Sequence, residues 1–279
     1  MRKEDGDLQI GKLPDLRMVD IRSLRFHEDY NEERVLTLIE RLGAEGILKN
    51  PPVVASVEKR EQYILLDGAN RVTALAKMNF NHIPVQVVLL SDPLLRLSSW
   101  HHAVERFGKD HFLGNLSDQP GLKIEESGSG KAKEDLLCRL IFRHNESFNI
   151  YNSSGLTSRI AQLNFITDLY LHTSCSDRVS YTDLEHLGRH YPDFQTLVLF
   201  KDFTKEEINE ISDLGRKLPS GLTRIILPKR ALGLNVRLEL LKSSLSLSEK
   251  NHWLKETIHK KVIEKSIRFY QEQTFVFNE

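Results

Sequence analysis

The most distinctive local feature of the sequence is Leu65-Leu66-Asp67-Gly68-Ala69-Asn70-Arg71. An apolar run ends at Asp67, Gly68 lets the chain turn closely, and the helical pattern that follows places Arg71 in its first turn. A helix N-terminus presents unpaired N–H groups and the positive end of the helix dipole, so it holds phosphate well. Arg71 can fork onto phosphate oxygens. The same pattern is also common in plain capped turns, so the residues alone leave both interpretations open.

Around this stretch the hydrophobic periodicity predicts a β–α–β–β–α–β order over about 90 residues. A helix is expected over 32–42, with Asn31 as its N-cap and Gly43 as its C-cap. Two strands at 52–56 and 63–66 read as a hairpin. The other elements predicted here are a strand at 16–21, the helix that runs from Asp67–Arg71 to about 78, and a strand at 83–90.

The rest of the chain predicts a second α/β unit. Residues 115–134 contain Pro120, Gly121 and a Ser-Gly-Ser-Gly-Lys run without apolar periodicity, which indicates a boundary. Thr204 and Glu207 have the spacing of a capping box. The further predicted elements are helices at 93–107, 154–171, 180–190, 204–215 and 247–270 and strands at 137–142, 147–151 and 196–200. The prediction is an α/β (α+β) fold with an N-terminal lobe at 1–114, a linker or insertion at 115–134 and a C-terminal lobe at 135–279.

Charge and composition exclude several classes of protein. The 279 residues include 39 Lys+Arg and 39 Asp+Glu, a balance that disfavours sequence-independent binding to nucleic acid, which needs surplus cations. The two cysteines, Cys138 and Cys175, form no CxxC pair and predict no disulfide framework. No signal-peptide pattern or membrane-spanning run is present. We therefore expect a soluble cytoplasmic protein without a membrane partner.

Three further features carry possible chemistry. Glu28, next to His27 and just before a helix, is either a general base or an ordinary loop carboxylate. The segment from Ser220 to Arg230 gathers a turn, a hydroxyl and cations that either grip an anion or form a surface hairpin. Trp100 is either the floor of a small-ligand pocket or a core side chain.

Taken in order, these motifs resemble one family closely. The resemblance rests on Val19-Asp20-Ile21 with His27-Glu28, on Leu48-Lys49-Asn50-Pro51-Pro52, on Asp67–Arg71 with Thr73-Ala74-Leu75, on Ser99-Trp100-His101, and on Gly221-Leu222-Thr223-Arg224 through Arg230-Ala231-Leu232. This pattern is similar to that of the ParB/sulfiredoxin-like free serine kinases, and most of all to the branch that makes O-phospho-L-serine for siderophore precursors. Where the family motif usually has histidine before the arginine, this sequence has Asn70.

The resemblance implies a kinase that phosphorylates free L-serine to O-phospho-L-serine with ATP or ADP and Mg²⁺, in a cleft between a ParB/sulfiredoxin-like lobe and a C-terminal lobe. It implies Glu28, Asp67 and Arg71 as catalytic residues, with Asp67 also a Mg²⁺ ligand. The implied nucleotide- and phosphate-binding residues are Gly68, Ala69, Asn70, Arg71 and Lys49. The implied substrate-binding residues are Trp100, Thr223, Arg224 and Arg230, with Arg224 on the serine carboxylate.

Two alternatives stay open. Asn70 is the reason to consider a regulator that binds a nucleotide or metabolite without turnover, and the acceptor could be another small hydroxy amino acid. A sulfiredoxin would need a cysteine in the Asp67–Arg71 loop, which has none. A ParB partition protein would need a basic DNA-binding surface, which the charge balance disfavours. The sequence leaves the oligomeric state unknown.

Overall fold

The computed structural model of the protein describes residues 13–57, 61–128, 135–152, 154–171 and 176–270. Helices and strands alternate along the chain and form two large mixed or antiparallel sheets, so the predicted α/β (α+β) class is confirmed. Cys175 lies outside the described residues, and Cys138 is buried. Among the described helices, none combines the length and the apolar character that crossing a membrane requires.

The first sheet is built from the N-terminal residues. Its five strands run in the order β1-β6-β4-β5-β2, with β4 and β5 antiparallel as the predicted hairpin requires. The elements of this part are β1 (Asp15–Asp20), β2 (Leu24–Phe26), α1 (Glu32–Glu45), β3 (Ile47–Leu48), β4 (Val53–Ser56), β5 (Tyr63–Asp67), α2 (Ala69–Lys77) and β6 (His82–Leu89).

The second sheet has six strands in the order β12-β8-β13-β10-β11-β9. Its strands and neighbouring helices are β7 (Arg96–Ser99), β8 (His101–Glu105), α3 (Lys109–Ser117), β9 (Lys123–Glu126), β10 (Leu136–Phe142), β11 (Ser147–Tyr151), α4 (Leu156–Leu171), β12 (Ser176–Val179), α5 (Leu184–His190), β13 (Phe194–Phe200) and α6 (Lys205–Leu214). A separate two-stranded sheet joins β7 to β14 (Thr223–Ile226).

β5 joins the cores of the two large sheets because it is apolar on both faces. Ile64 and Leu66 pack with the second sheet and α4, whereas Leu65 between them packs with α1 and α2. Successive side chains of a strand point to opposite faces, so one strand serves two layers. This places the end of β5, at Asp67, beside residues from both halves of the chain.

The last elements return to the first sheet. They are β15 (Val236–Arg237), α7 (Leu238–Lys242) and α8 (Leu247–Ile263). β15 pairs with β3, and Asn251 of α8 bonds the backbone N–H and carbonyl of Met18, both at 2.9 Å. Leu254 is buried in the same core as Met18. The predicted domain limits stay a prediction, but the cores themselves are not consecutive: β8 and β9 belong to the second sheet, and α7 and α8 pack on the first.

Several local predictions are confirmed and others are wrong. Asn31 caps α1 by accepting from the N–H of Arg34, and Thr204 with Glu207 forms the capping box of α6. Gly43 is not the C-cap of α1, because the helix continues to Glu45 and ends at Gly46 in the left-handed conformation (φ 66°). The helix expected at 93–107 is instead the strand pair β7 and β8, and the terminal helix ends at Ile263.

Candidate active site between the two sheets

A cavity of about 310 Å³ opens between the two sheets, at the end of β5. This volume lies at the lower end of the range found for small-ligand pockets. The first sheet and α1 contribute most of the wall, and the other side comes from Trp100, Arg178 and the loop before β14. The walls contain these residues predicted from the sequence: Glu28, Lys49, Asp67, Gly68, Ala69, Asn70, Arg71, Trp100 and Thr223.

Gly68 shapes the floor of this cavity. Its φ of 101° is one that residues with a side chain rarely adopt, and a Cβ there would lie 2.9 Å from Cβ of Pro52. Gly68 is also the N-cap of α2 and has no side chain to bond the first N–H groups. The helix therefore presents its N–H groups and its positive dipole end to the cavity without a competing side-chain cap.

Asp67 and two arginines form a cluster beside the α2 N-terminus. Arg71 donates from Nη2 to Oδ2 of Asp67 at 2.8 Å, and Arg230 donates to the same oxygen. Burial opposes the shift, but the two guanidinium groups together lower the pKa of Asp67 below its usual value. Arg71 also donates from Nη1 to the carbonyl of Asn50 at 3.0 Å, which ties the loop before β4 to α2. The cluster is thus a rigid, cationic rim.

Asn70 joins the two helices that border the cavity. Its Oδ1 accepts the backbone N–H of Asn31, the N-cap of α1, at 2.8 Å. This bond fixes the α2 N-terminus against the α1 N-terminus and leaves the amide group of Asn70 as a donor. The substitution of asparagine for the usual histidine is therefore accommodated by a bond between helices.

Glu28 is the carboxylate on the opposite wall, and its side chain is only 14% exposed. Oε1 accepts the backbone N–H of Gly221, and Oε2 accepts the backbone N–H of Thr223 at 3.1 Å together with the Thr223 hydroxyl. Burial raises the pKa of Glu28, although these hydrogen bonds oppose the shift. A carboxyl group with a raised pKa, facing a cavity, is suited to accept a proton.

His27 lies behind Glu28 and is almost fully buried, at 1% exposure. Its Nδ1 lies 2.7 Å from the carbonyl of Leu65, and its Nε2 lies 2.9 Å from Oγ1 of Thr223. Burial lowers the pKa of His27 to about 4, so the ring is neutral at neutral pH. The sequence analysis treated His27 only as the neighbour of Glu28 and missed this contact.

The predicted cations do not all line the cavity. Lys49 does, and it also pairs with Glu45 at 3.0 Å. Arg230 reaches Asp67, at the rim. Arg224 is not among the lining residues; its guanidinium lies over the ring of Trp100, 4.8 Å from the centroid. Because Thr223 and Arg224 are neighbours on β14, their side chains leave opposite faces of the strand.

Three arginines that the sequence analysis did not single out also line the cavity: Arg34 and Arg41 from α1, and Arg178 from β12. Arg34, Leu38 and Arg41 recur at helical spacing, a signal that the sequence contained. Arg178 offered no such signal. It reaches the cavity because β12 pairs with β8, and its guanidinium packs on Gly221, where a Cβ would lie 1.6 Å from Nη2.

Comparisons with known proteins identify two relatives with named functions. The chain is 26% identical over 238 residues to a protein of Staphylothermus marinus named ATP-dependent L-serine kinase, a match that spans 81% of this chain and 90% of the relative. It is 21% identical over 239 residues to the ATP-dependent L-serine kinase SbnI of Staphylococcus aureus, over 85% of this chain and 88% of the relative. No family model matches the chain.

Solved structures show the same fold. SbnI with a C-terminal truncation superposes with a TM-score of 0.70 at 20% identity, over 88% of this chain and 96% of that chain. A free serine kinase in complex with AMP superposes with a TM-score of 0.68 at 20% identity, over 82% of this chain and 95% of that one. The fold is therefore that of the free serine kinases, and the resemblance predicted from the sequence is confirmed.

Proposed function

We propose that this protein is a kinase that transfers the terminal phosphoryl group of ATP to the hydroxyl of free L-serine, forming O-phospho-L-serine and ADP. One observation carries the proposal: the buried carboxylate of Glu28 and the uncapped N-terminus of α2 open on the same cavity. A hydroxyl acceptor needs a base, and a phosphoryl donor needs an anion site. The similarity to proteins named ATP-dependent L-serine kinase supports the reaction and the choice of ATP.

Glu28 takes the proton of the serine hydroxyl. Each carboxylate oxygen has two lone-pair sites. Oε2 uses both on the Thr223 N–H and hydroxyl, whereas Oε1 uses one on the Gly221 N–H. Oε1 is therefore the atom with room for the serine hydroxyl. As the proton moves to Glu28, the serine oxygen bonds the γ-phosphorus and ADP leaves with the electron pair of the broken P–O bond.

The phosphates are held by the N-terminus of α2. The N–H groups of Ala69, Asn70 and Arg71 lie in its first turn, where no side-chain cap competes. Arg71 keeps its Nε and one Nη2 hydrogen without a described partner, so it can donate to a phosphate oxygen while it holds Asp67. Lys49 adds a point charge on the same wall. Phosphoryl transfer depends mainly on this positioning and electrostatic stabilisation.

Mg²⁺ fits beside Asp67. The described residues include no cluster of three His, Cys, Asp or Glu side chains that would hold a metal ion alone. Kinase Mg²⁺ is usually bound by one or two carboxylates and the phosphates of the nucleotide, so such a cluster is not required. Both arginines bond Oδ2 of Asp67, and Oδ1 accepts no hydrogen bond from the described residues. Oδ1 is therefore the oxygen that would bind the ion. When bound, the ion would neutralise phosphate charge.

The serine carboxylate is bound by Arg178 in this proposal, and Trp100 forms the adjacent wall. Arg178 lines the cavity, and its only described hydrogen bond is a long one, 3.5 Å, to the carbonyl of Ser220. Its guanidinium is therefore available for a bidentate bond to a carboxylate. Arg224, which the family resemblance assigns to this role, stacks on Trp100 outside the lining. Thr223 acts on Glu28 rather than directly on the substrate.

Incubation of the protein with L-serine, Mg²⁺ and ATP, followed by ³¹P NMR of the products, tests the function. We expect O-phospho-L-serine with ATP, and a parallel incubation with ADP establishes the nucleotide preference. Threonine and homoserine as acceptors test the alternative substrates. Nucleotide binding without any phosphorylated product would contradict the kinase proposal and favour the regulator that Asn70 brought into consideration. A link to siderophore precursors, a cytoplasmic location and the absence of a nucleic-acid partner stay predictions.

Glu28→Gln is the matched variant, because glutamine keeps the shape of the side chain and loses the base. We expect kcat to fall by about 10²–10⁴, the usual contribution of a general base. The affinity for nucleotide should stay within about threefold of wild type, since Glu28 does not lie at the α2 N-terminus. An unchanged kcat would refute the assignment of the base.

A further inference from the structure

The hydroxyl of Thr223 lies between two groups that can both accept its single hydrogen. Oγ1 contacts Oε2 of Glu28 on one side and lies 2.9 Å from Nε2 of His27 on the other. The direct separation of Nε2 and Oε2 is 3.9 Å, too long for a hydrogen bond. Any coupling between the histidine and the carboxyl group therefore passes through Thr223.

The contact with the carbonyl of Leu65 fixes the tautomer of His27. A carbonyl oxygen only accepts, so the 2.7 Å contact with Leu65 requires the hydrogen of the neutral ring to be on Nδ1. Nε2 then carries a lone pair directed at Thr223. The ring is buried at 1% exposure, so water does not replace a missing partner for Nε2.

The contacts among Glu28, Thr223 and His27 are all satisfied in only one of the two protonation states of Glu28. With Glu28 ionised and His27 neutral, the Thr223 hydrogen serves either Oε2 or Nε2 and leaves the other without it. With one proton added to Oε2, Glu28 donates to Oγ1, Thr223 donates to Nε2, and His27 donates to Leu65. The chain of three groups is complete only when it holds that additional proton.

We propose that His27, acting through the Thr223 hydroxyl, is a positioning residue that raises the proton affinity of Glu28. The inference rests on the proposed function, in which Glu28 is the base that takes the proton of serine. Hydrogen bonds that complete the protonated form favour that form. The serine hydroxyl meets Oε1, and a half-turn of the protonated carboxyl group about its Cγ–Cδ bond carries the proton to the position of Oε2 beside Thr223. The proton stays on Glu28 during transfer and passes to solvent when the product leaves.

Charged side chains from two other strands also act on Glu28 and His27. Arg178, from β12, faces Glu28 and favours its ionised form, whereas Asp67, from β5, faces His27. The backbone N–H groups of Gly221 and Thr223 also favour ionised Glu28. His27 therefore offsets a set of donors that would otherwise make Glu28 a weak base.

Two substitutions of His27 test its contact with Leu65 and its contact with Thr223 separately. The amide of His27→Asn can replace Nδ1 and keep the bond to Leu65, but it does not extend to Thr223. The longer side chain of His27→Gln can place its carbonyl oxygen near the position of Nε2 and accept from Thr223. Both variants lose the ring, so the loss of packing is common to them.

The readout is the pKa of Glu28, measured by ¹³C NMR of glutamate carboxyl groups and assigned by its disappearance in Glu28→Gln. We expect His27→Asn to lower this pKa by about one unit and His27→Gln to leave it near wild type. The acidic limb of the kcat/KM profile should move with it. Equal pKa values in wild type, His27→Asn and His27→Gln would overturn the proposal.

Thr223→Val provides a second, independent test because it removes the shared hydroxyl. In this background His27→Asn and His27→Gln should give the same Glu28 pKa, whereas a difference that persists would overturn the route through Thr223. Thr223→Ser should keep the difference. The titration requires no turnover, so a protein that makes no phosphoserine would refute the proposed function while the titration still decides the coupling.

Discussion

Arg224 lies over the indole ring of Trp100, with its guanidinium carbon 4.8 Å from the ring centroid. Trp100 lines the cavity and Arg224 does not, so this cation–π contact packs against a wall residue without entering the cavity lining. The same strand directs Thr223 toward Glu28, so β14 supports two walls of the site by alternation. Arg224 therefore supports the wall that Trp100 forms, and Arg178 is the arginine that we propose binds the serine carboxylate.

The first prediction compares these two arginines. Arg178→Gln should raise the KM for serine by about 10- to 100-fold, the loss expected for a charge-assisted hydrogen bond to a carboxylate. Arg224→Gln should change it by less than about threefold, because Arg224 contacts the half-buried ring of Trp100 and not the substrate, and such a cation–π contact contributes only about 0.5–1 kcal/mol. Steady-state kinetics with varied serine measure both. A larger increase in KM for Arg224→Gln than for Arg178→Gln would show that Arg224, and not Arg178, binds the serine carboxylate.

A second prediction concerns the close contact between Gly221 and Arg178. Gly221 has φ 76°, and a Cβ there would lie 1.6 Å from Nη2 of Arg178. Gly221→Ala should therefore displace Arg178 and raise the KM for serine about as much as Arg178→Gln does. Gly233→Ala is the matched control, since Gly233 has φ 64° but nothing within 4 Å of the added Cβ. If Gly221→Ala and Gly233→Ala raised the KM for serine equally, backbone strain and not the displacement of Arg178 would explain the increase.

A third prediction concerns Arg71, whose planar guanidinium bonds Asp67 and the carbonyls of Asn50 and Pro51 together. Lysine offers a point charge without this fork, so Arg71→Lys should raise the KM for ATP by about tenfold or more. Arg22→Lys is the control, because the side chain of Arg22 is 82% exposed and neither it nor its partner Asp20 lines the cavity. Nucleotide binding measured by calorimetry should follow the same order.

A fourth prediction concerns acid stability and His102, which is buried beside Tyr170 with 2.6 Å between Nδ1 and the hydroxyl. Burial lowers the pKa of His102 from 6.5 to about 4. The unfolded chain therefore binds a proton below about pH 6.5, and the folded chain does so only near pH 4. Relative to His102→Phe, the wild type should lose about 3 kcal/mol of unfolding free energy between pH 7 and pH 4.

Urea unfolding of both proteins at several pH values measures this difference, from which groups common to the two cancel. The same substitution at the exposed His259 of α8 is the control. A constant difference between wild type and His102→Phe across the range would contradict the assigned pKa.

Local chemistry made part of this structure predictable. The N-cap at Asn31, the capping box at Thr204, and the strand that ends in Asp67-Gly68 before α2 all depend on residues within a few positions of one another. Gly43 was wrong as a C-cap because a helix end also depends on packing, and the left-handed position falls at Gly46. Such features follow from backbone conformation and short-range hydrogen bonds.

Long-range pairing made the rest unpredictable. Residues 93–107 were expected to form a helix, but β8 is buried between β12 and β13, whose residues follow about 70 to 100 positions later. Arg178 reaches the cavity through the same pairing. A single sequence shows which side chains favour chemistry, but it does not show which distant strand will lie beside them.

Glu28 depends on residues that follow it by nearly two hundred positions, since its separations from Gly221 and Thr223 are 193 and 195. During synthesis Glu28 and the N-terminus of α2 leave the ribosome long before this segment does. Until that segment arrives, the carboxylate lacks its backbone donors and the histidine behind it lacks its hydroxyl. The first sheet is also completed late, because β15 pairs with β3 and the core of that sheet includes Leu238, Leu241 and Leu254. Neither wall of the cavity is therefore complete until these later residues have been made.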